Sequence, residues 1–143
     1  GLSYIILRYS NVFGPKQTAK GEGGVVSIFN ECLKNNERPI IYGDGNQTRD
    51  FIFVDDVAEA NIAAIYSNVS GIYNISSNEQ ISINKLLSIM NDISGKNLKP
   101  IFDSPRVGDI RDSLLSNDKA NQHLMWKPKI SLYDGLKMTL TIH

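Results

Sequence analysis

Three arginines stand at strand ends or in loops rather than along a solvated helical face. Arg8 closes the first apolar segment, Arg49 precedes another, and Arg106 lies in Pro105-Arg106-Val107-Gly108-Asp109. Planar, bidentate guanidinium groups suit phosphate oxygens, and loops at strand ends are where open α/β sheets bind ligands. These arginines therefore indicate a phosphate-binding site. Pairing with surface carboxylates is the alternative that the residue types leave open.

Two glycine clusters resemble a dinucleotide-binding loop, but neither has the context that such a loop needs. Gly21–Gly24 follows a loop rather than a strand, and Val26 stands where the last glycine should fall. Gly43–Gly45 follows a predicted strand but leads into another strand, so no helix N-terminus faces a pyrophosphate. The sequence therefore predicts no nicotinamide-binding fingerprint in this chain.

A tyrosine and a lysine stand at the Y-x-x-x-K spacing, which lets a lysine assist a tyrosine in proton transfer. They are Tyr133 and Lys137 in the last predicted helix, with Gly135 between them and no cofactor motif upstream. We interpret this spacing as coincidence. No catalytic residue is predicted.

The acidic residues and histidines do not predict a metal site. Four aspartates lie close together in the sequence, at Asp44, Asp50, Asp55 and Asp56. Asp55 and Asp56 stand where a helix cap belongs, and Asp44 stands in a turn. His123 and His143 fall in different elements and have no local partner.

Hydrophobic spacing predicts alternating strands and helices. The predicted strands cover residues 2–9, 39–42, 51–54, 72–75 and 101–102, and the predicted helices cover 25–33, 83–93 and 118–124, with two more beginning at 56 and 131. Loops are predicted at 11–24, 43–48 and 105–116. Asp56 with Glu59, and Ser131 with Asp134, are expected to cap helices, and Gly95 to end one. The first segment is almost entirely apolar, as in a strand covered on both faces of a parallel sheet.

Composition indicates one globular α/β domain over residues 1–143. The 143 residues carry 15 basic and 15 acidic side chains, so general binding to nucleic acids is not expected. No apolar run is long enough to span a membrane, and the single cysteine, Cys32, fits a reducing compartment, so a cytoplasmic location is expected. Because the chain begins with a strand that needs neighbours, we expect it to be the C-terminal part of a longer protein. Exposed strand edges would then favour self-association.

Four motifs in order resemble a known family. They are Leu7–Pro15, Ile41–Phe51, Arg106–Asp109, and Trp126-Lys127-Pro128 followed by Ser131-Leu132. Together they resemble the NAD-dependent epimerase/dehydratase family of extended short-chain dehydrogenases, which modify nucleotide sugars. Within it the similarity is greatest to enzymes of the UDP-glucose 4-epimerase type. The resemblance implies the substrate-binding C-terminal part of an extended Rossmann-type enzyme.

The resemblance also implies roles for individual residues. Asn11 would contact the nucleotide diphosphate, and Tyr42 would stack on a pyrimidine base. Arg49 and Arg106 would neutralise the diphosphate, and Asp109 would accept hydrogen bonds from the ribose hydroxyls. The implied ligand is a UDP- or dTDP-sugar.

The remaining implied contacts concern the base and the cofactor. Gly24 and Val25 would place backbone groups near the base, while Tyr9 and Ser10 would lie beside the nicotinamide of an NAD held by an N-terminal part. The family's glycine-rich loop and catalytic Tyr-Lys pair precede Leu7, so we expect this chain alone to be inactive and to bind no NAD.

Two alternatives stay open at this point. The parent protein can be an epimerase or a dehydratase. The chain can also be a stand-alone nucleotide-binding or protein-interaction module. One departure from the family is Met125, which stands where a glycine usually ends a helix.

Overall fold

A computed structural model describes residues 3–21 and 23–140. The strands are β1 (Ile5–Tyr9), β2 (Asn11–Phe13), β3 (Ile40–Tyr42), β4 (Thr48–Arg49), β5 (Phe51–Phe53), β6 (Gly71–Ile75), β7 (Ile81–Ser82) and β8 (Ile101–Asp103). The helices are α1 (Val25–Asn35), α2 (Val54–Tyr66), α3 (Ile83–Ser94), α4 (Asp118–Leu124) and α5 (Leu132–Thr139). The predicted α/β class is confirmed. Leu2, Glu22 and His143, which the sequence-based predictions include, lie outside the described residues.

The strands form four two-stranded pairs. β1 pairs with β6, β2 with β5, and β3 with β8, all in parallel. β4 and β7 form a short antiparallel pair. Parallel pairing needs a crossover between the partners, and the helices provide it, as the alternation of predicted elements implies. Among the described residues, no helix is long and apolar enough to cross a membrane.

β5 separates two hydrophobic cores. Its three side chains, Phe51, Ile52 and Phe53, are all at least 96% buried. Because neighbouring side chains of a strand point to opposite faces, Phe51 and Phe53 join the core formed with α1, α3 and α5. Ile52 joins the second core, which includes Tyr73 of β6 and Trp126. Because β5 packs into both cores, the backbone of the residues just before it is also held in place.

The expectation that β1 is covered on both faces is only half right. Ile5 and Leu7 pack against the second core, but the side chain of Ile6 is 47% exposed and that of Tyr9 is 44% exposed. Within the described residues, β6 is the one strand that pairs with β1. The expected self-association through this region stays a prediction.

The expected cap of the second helix is wrong. α2 begins at Val54, two residues before Asp56, and the side chain of its N-cap residue, Phe53, accepts no capping hydrogen bond. Asp56 is instead buried and accepts hydrogen bonds from the backbone N–H groups of Lys129 (2.9 Å) and Ile130 (3.1 Å). Its carbonyl accepts the indole N–H of Trp126 at 3.0 Å. Asp56 thus anchors the chain that leads into α5.

The predicted cap at Ser131 and the predicted helix end at Gly95 are confirmed. Ser131 Oγ accepts the backbone N–H of Asp134 at 3.1 Å and caps α5. Gly95 ends α3 in the left-handed conformation, with φ of 65°. Met125 also takes a left-handed conformation, with φ of 53°, at the end of α4. The position therefore has the backbone geometry for which glycine is favoured.

Three predicted boundaries need correction. The predicted loop 11–24 begins with β2, because Asn11–Phe13 pairs with β5. The predicted loop 43–48 runs into β4 at Thr48. Val54, placed in a strand by its apolar character, starts α2 instead. Short strands paired with distant segments have little local sequence signal, which explains the first two errors.

Candidate functional site

One cavity of about 510 Å³ gathers most of the residues expected to bind a ligand. It lies between α1, β3, β4 and the loop after β8. Six of the seven predicted substrate-binding residues line it, namely Asn11, Val25, Tyr42, Arg49, Arg106 and Asp109. They come from positions up to 98 residues apart in the sequence, so the fold is what brings them together.

Two of the predicted residues lie elsewhere or only nearby. Gly24 is the N-cap of α1, with extended backbone at φ of −68°, and it is its neighbour Gly23 that lines the cavity. Arg8 is exposed on β1 and is not among the residues around the cavity. Of the three arginines that indicated phosphate binding, the structure thus brings two together.

The side chain of Arg49 is held mainly by the loop after β8. Its Nη1 donates to the carbonyl oxygens of Thr48 (2.7 Å) and Ile110 (2.6 Å), and its Nη2 pairs with Asp109 Oδ1 at 2.5 Å. A guanidinium has five N–H donors. Nε and one Nη2 hydrogen therefore have no partner among the described residues. Asp109 likewise keeps its Oδ2 available for a hydroxyl donor.

The guanidinium of Arg106 lies over the ring of Tyr42. Its guanidinium carbon is 3.9 Å from the centroid of the Tyr42 ring, which is a cation–π contact. Within the described residues its side chain makes no hydrogen bond, so its N–H groups are open to an anionic ligand. A nucleobase that stacks on Tyr42 must use the opposite ring face or displace this guanidinium.

Gln47 was not singled out from the sequence, yet it is buried between the cavity and the turn after β3. Its Nε2 donates to the carbonyl of Tyr42 at 2.7 Å. Its Oε1 is buried and is the one buried side-chain polar atom without a partner in the described part of the chain. Gln47 fixes the backbone of Tyr42. Nothing in its type or spacing marked it, since a polar residue in a turn is usually solvated.

Asp50 was weighed from the sequence only as a metal ligand, and the structure gives it another role. It is fully buried and accepts hydrogen bonds from the Ser77 N–H (2.9 Å), the Ser77 hydroxyl (2.8 Å) and the Asn78 N–H (3.1 Å). The Ser10 hydroxyl donates to the same carboxylate at 3.0 Å. Asp50 therefore ties β2, β5 and the loop after β6 together beside the cavity.

The two residues expected near a nicotinamide lie outside the cavity. Tyr9 donates its hydroxyl to Asn61 Oδ1 at 3.0 Å and borders a separate depression along β1 and α2. Ser10 is bonded to Asp50. Their proposed contact with NAD stays a prediction.

The Tyr133–Lys137 pair and the Gly43–Gly45 cluster lie away from the cavity. The Lys137 ammonium is 5.9 Å from the Tyr133 ring on α5, and neither lines the cavity. Gly43 and Gly45 form a left-handed turn that leads into β4, as expected, rather than into a helix. In residues 3–21 and 23–140, no cluster of three acidic, cysteine or histidine side chains could hold a metal ion.

Cys32 lines the cavity and gives a direct probe of its occupancy. Burial, followed by the nearby carboxylates of Glu37 and Glu31, raises the pKa of its thiol above its ordinary value. Because the thiolate is the reactive form, we expect iodoacetamide to modify Cys32 more slowly than a free thiol at pH 8, with the rate still rising at pH values where that of the free thiol has levelled off.

A ligand that fills the cavity should slow this modification further. Cys32 is the single cysteine of the chain, so mass spectrometry reports on it alone. We expect saturating UDP to protect Cys32, while uncharged glucose at the same concentration gives no protection. Equal rates with and without UDP, in a sample that binds UDP, would place the nucleotide elsewhere.

Comparison with known proteins defines the class of protein. Residues 1–76 match the NAD dependent epimerase/dehydratase family. A putative UDP-glucose 4-epimerase of Methanocaldococcus jannaschii is 46% identical over 137 residues, which is 96% of this chain and 44% of the relative. The chain belongs to the NAD-dependent epimerase/dehydratase family.

Solved structures agree with this assignment. UDP-glucose 4-epimerase from Thermotoga maritima, solved with UDP-glucose, superposes with a TM-score of 0.95 at 42% identity, covering 98% of this chain and 45% of the epimerase. The Thermus thermophilus UDP-glucose 4-epimerase complex with NAD gives 0.90 at 36% identity, covering 98% of this chain and 46% of that enzyme. The chain thus spans less than half the length of these relatives.

Proposed function

We propose that residues 1–143 are the nucleotide-sugar-binding part of an NAD-dependent UDP-sugar 4-epimerase. The observation that carries the proposal is the cavity in which Arg49, Arg106, Tyr42 and Asp109 meet. The family resemblance implies that Arg49 and Arg106 contact the diphosphate, that Tyr42 stacks on the base and that Asp109 binds the ribose. Relatives named as UDP-glucose 4-epimerases, one of them solved with UDP-glucose, support uridine as the nucleoside.

The cavity is lined by both charged and apolar side chains, which suits the two kinds of surface of a nucleotide. Arg49 and Arg106 offer N–H donors that the described residues leave free, which suits the oxygens of a diphosphate. Ile28, Phe29 and Ile41 also line the cavity and provide an apolar surface for a base. Asp109 Oδ2 is positioned to accept a ribose hydroxyl.

The described residues would contribute only an edge to an NAD site. Ser10 and Tyr9 donate their hydroxyls to protein carboxylate and amide oxygens, and the Gly43–Gly45 turn leads into a strand rather than into a helix N-terminus that could face a pyrophosphate. NAD bound by the rest of the enzyme would supply the hydride acceptor. This chain would hold the nucleotide so that its binding energy orients the sugar.

The purified 143-residue chain should bind UDP but should not interconvert UDP-glucose and UDP-galactose. The reason is that the proton-transfer pair and the cofactor loop of the family precede Leu7. The measurement is a coupled assay of UDP-galactose formation with added NAD, beside calorimetric titrations with UDP and with NAD. Turnover above the blank, or NAD binding as tight as UDP binding, would contradict the proposal. The epimerase that contains the chain is the positive control.

A further inference from the structure

The segment Ser104–Asp112, called the strap below, carries Arg106 and Asp109 across the cavity. It contains no helix, each of its residues is exposed, and its end is attached to β4 by the Asp112–Thr48 bridge. A second cavity of about 290 Å³ lies against it, lined on the strap side by residues that include Pro105 and Ile110. An exposed segment that borders a cavity has few packing contacts to fix it. The position of the strap before this bridge therefore depends on polar contacts of its side chains and backbone.

Arg49 provides one such contact, and an ion pair provides another. Arg111 at the end of the strap donates from Nη1 to Asp44 Oδ1 (2.7 Å) and from Nη2 to Asp44 Oδ2 (3.0 Å). This is the bidentate arrangement in which two parallel hydrogen bonds fix orientation as well as distance. Arg111 holds the pKa of the Asp44 carboxyl well below its usual range, so the pair is ionised at neutral pH.

The Asp44 end of this pair is itself fixed. Asp44 Oδ1 also accepts the backbone N–H of Asn46 at 2.9 Å, and its carbonyl accepts Asn84 Nδ2 at 3.0 Å. Gly45 has a φ of +74°, and a Cβ there would lie 2.2 Å from Asn84 Oδ1. The turn after β3 therefore packs closely against the start of α3. Arg111 thus pairs the strap with a carboxylate whose position is set by its own hydrogen bonds.

We propose that Asp44 and Arg111 form a clasp that positions Arg106 and Asp109 for a nucleotide diphosphate. The inference rests on the proposed function. Asp44 and Arg111 are positioning residues and need not touch the ligand. When the clasp is broken, the strap samples more conformations, and binding must restrict them at a cost in affinity. The loss should be about three- to fivefold in the dissociation constant for UDP, the scale of an exposed ion pair.

The test uses Asp44→Asn, Arg111→Gln and the double variant. Asparagine keeps the acceptor for the Asn46 N–H, so the turn is retained while the charge is removed. Each single variant should bind UDP about three- to fivefold more weakly in calorimetry. The double variant should be no weaker than the weaker single variant, because both substitutions remove one interaction.

A second readout does not require UDP. Trypsin can cleave after Arg106, next to the fully exposed Val107. We expect Asp44→Asn to be cleaved there severalfold faster than the wild-type chain, since the strap is less restrained. Glu59→Gln is the matched control: it breaks the Lys129–Glu59 pair, whose side chains are 63% and 49% exposed, against 60% and 53% for Arg111 and Asp44.

The outcomes separate the two proposals. If the wild-type chain binds UDP and Asp44→Asn binds it equally well, the clasp is overturned. If the single variants bind UDP more weakly and the losses in binding free energy add in the double variant, the weaker binding does not come from loss of the Asp44–Arg111 pair, and the clasp is overturned. If the wild-type chain does not bind UDP, the proposed function fails, and the cleavage rates of Asp44→Asn and Glu59→Gln still decide whether the clasp restrains the strap.

Discussion

Replacement of Arg106 with alanine is expected to weaken UDP binding by about 1.5–3 kcal/mol, which is roughly tenfold or more in the dissociation constant. The reason is that the guanidinium of Arg106 makes no hydrogen bond within the described residues, so its donors are free for phosphate oxygens. Its removal leaves no protein acceptor unpaired. The variant should therefore unfold at the same urea concentration as the wild-type chain.

Arg49→Ala should cause a loss of similar size in UDP binding, but for two reasons. It removes donors to the diphosphate, and it also frees the strap, since Arg49 holds Asp109 and the carbonyl of Ile110. Arg49→Lys should not restore full affinity, because an ammonium group cannot reproduce these paired contacts. The effects of Arg49→Ala and Arg106→Ala should not be independent, as both act on one diphosphate.

Calorimetric titration with UDP checks both variants, with Arg8→Ala as the control. Arg8 is an exposed arginine on β1 outside the cavity, so its loss should leave UDP affinity unchanged. Wild-type affinity in both Arg49→Ala and Arg106→Ala would show that the two arginines do not hold the diphosphate. Full UDP affinity in Arg49→Lys would show that a positive charge at this position is sufficient and that the paired guanidinium contacts are not needed.

Asp50→Asn is expected to destabilise the fold by about 3 kcal/mol or more, the loss of at least two hydrogen bonds to a buried charged group. The carboxylate accepts bonds from the Ser10 hydroxyl and from N–H groups of Ser77 and Asn78. An amide keeps one oxygen, but its NH₂ group would face N–H donors. Buried donors left without an acceptor cause the loss.

Urea unfolding followed by tryptophan fluorescence measures this effect, because Trp126 is buried and is the single tryptophan. The matched control is Asp55→Asn, which removes a carboxylate from an exposed position in the first turn of α2. It should change stability by less than about 0.5 kcal/mol, as surface substitutions usually do. Equal midpoints for Asp50→Asn and the wild-type chain would contradict the role given to Asp50.

The elements that could be predicted from the sequence are those with local signals. Ser131 caps α5 through a residue three positions away, and Gly95 ends α3 by its own backbone conformation. The spacing of apolar residues in α3 was equally informative, since one face of that helix is buried. Such features need no knowledge of distant contacts.

The roles of the buried aspartates could not be predicted in this way. Asp56 resembles a helix cap in sequence, but its acceptor bonds go to Lys129 and Ile130, more than 70 residues away. Asp50 meets Ser77, 27 residues on. An aspartate near a helix start has the same local sequence whether it caps that helix or accepts hydrogen bonds from distant residues. The role it takes depends on the packing of β5 between the two cores.

The candidate site was predicted only in part from its residues. Their chemistry pointed to Arg49 and Arg106, and also to Arg8, which lies outside the cavity. Asn11, Tyr42 and Asp109 came from the family resemblance, since nothing in their own spacing links them. The Asp44–Arg111 pair was missed by both routes, because its members are 67 residues apart and each alone is a common surface residue.

In a crystal structure of the longer protein that contains this chain, determined with UDP-glucose, we expect the diphosphate to lie between Arg49 and Arg106, with at least one phosphate oxygen within hydrogen-bond distance of each guanidinium. We also expect the uracil to lie beside Ile28 and Ile41, which line the cavity. A nucleotide bound elsewhere, with neither arginine in contact with a phosphate oxygen, would show that the cavity is not the nucleotide site.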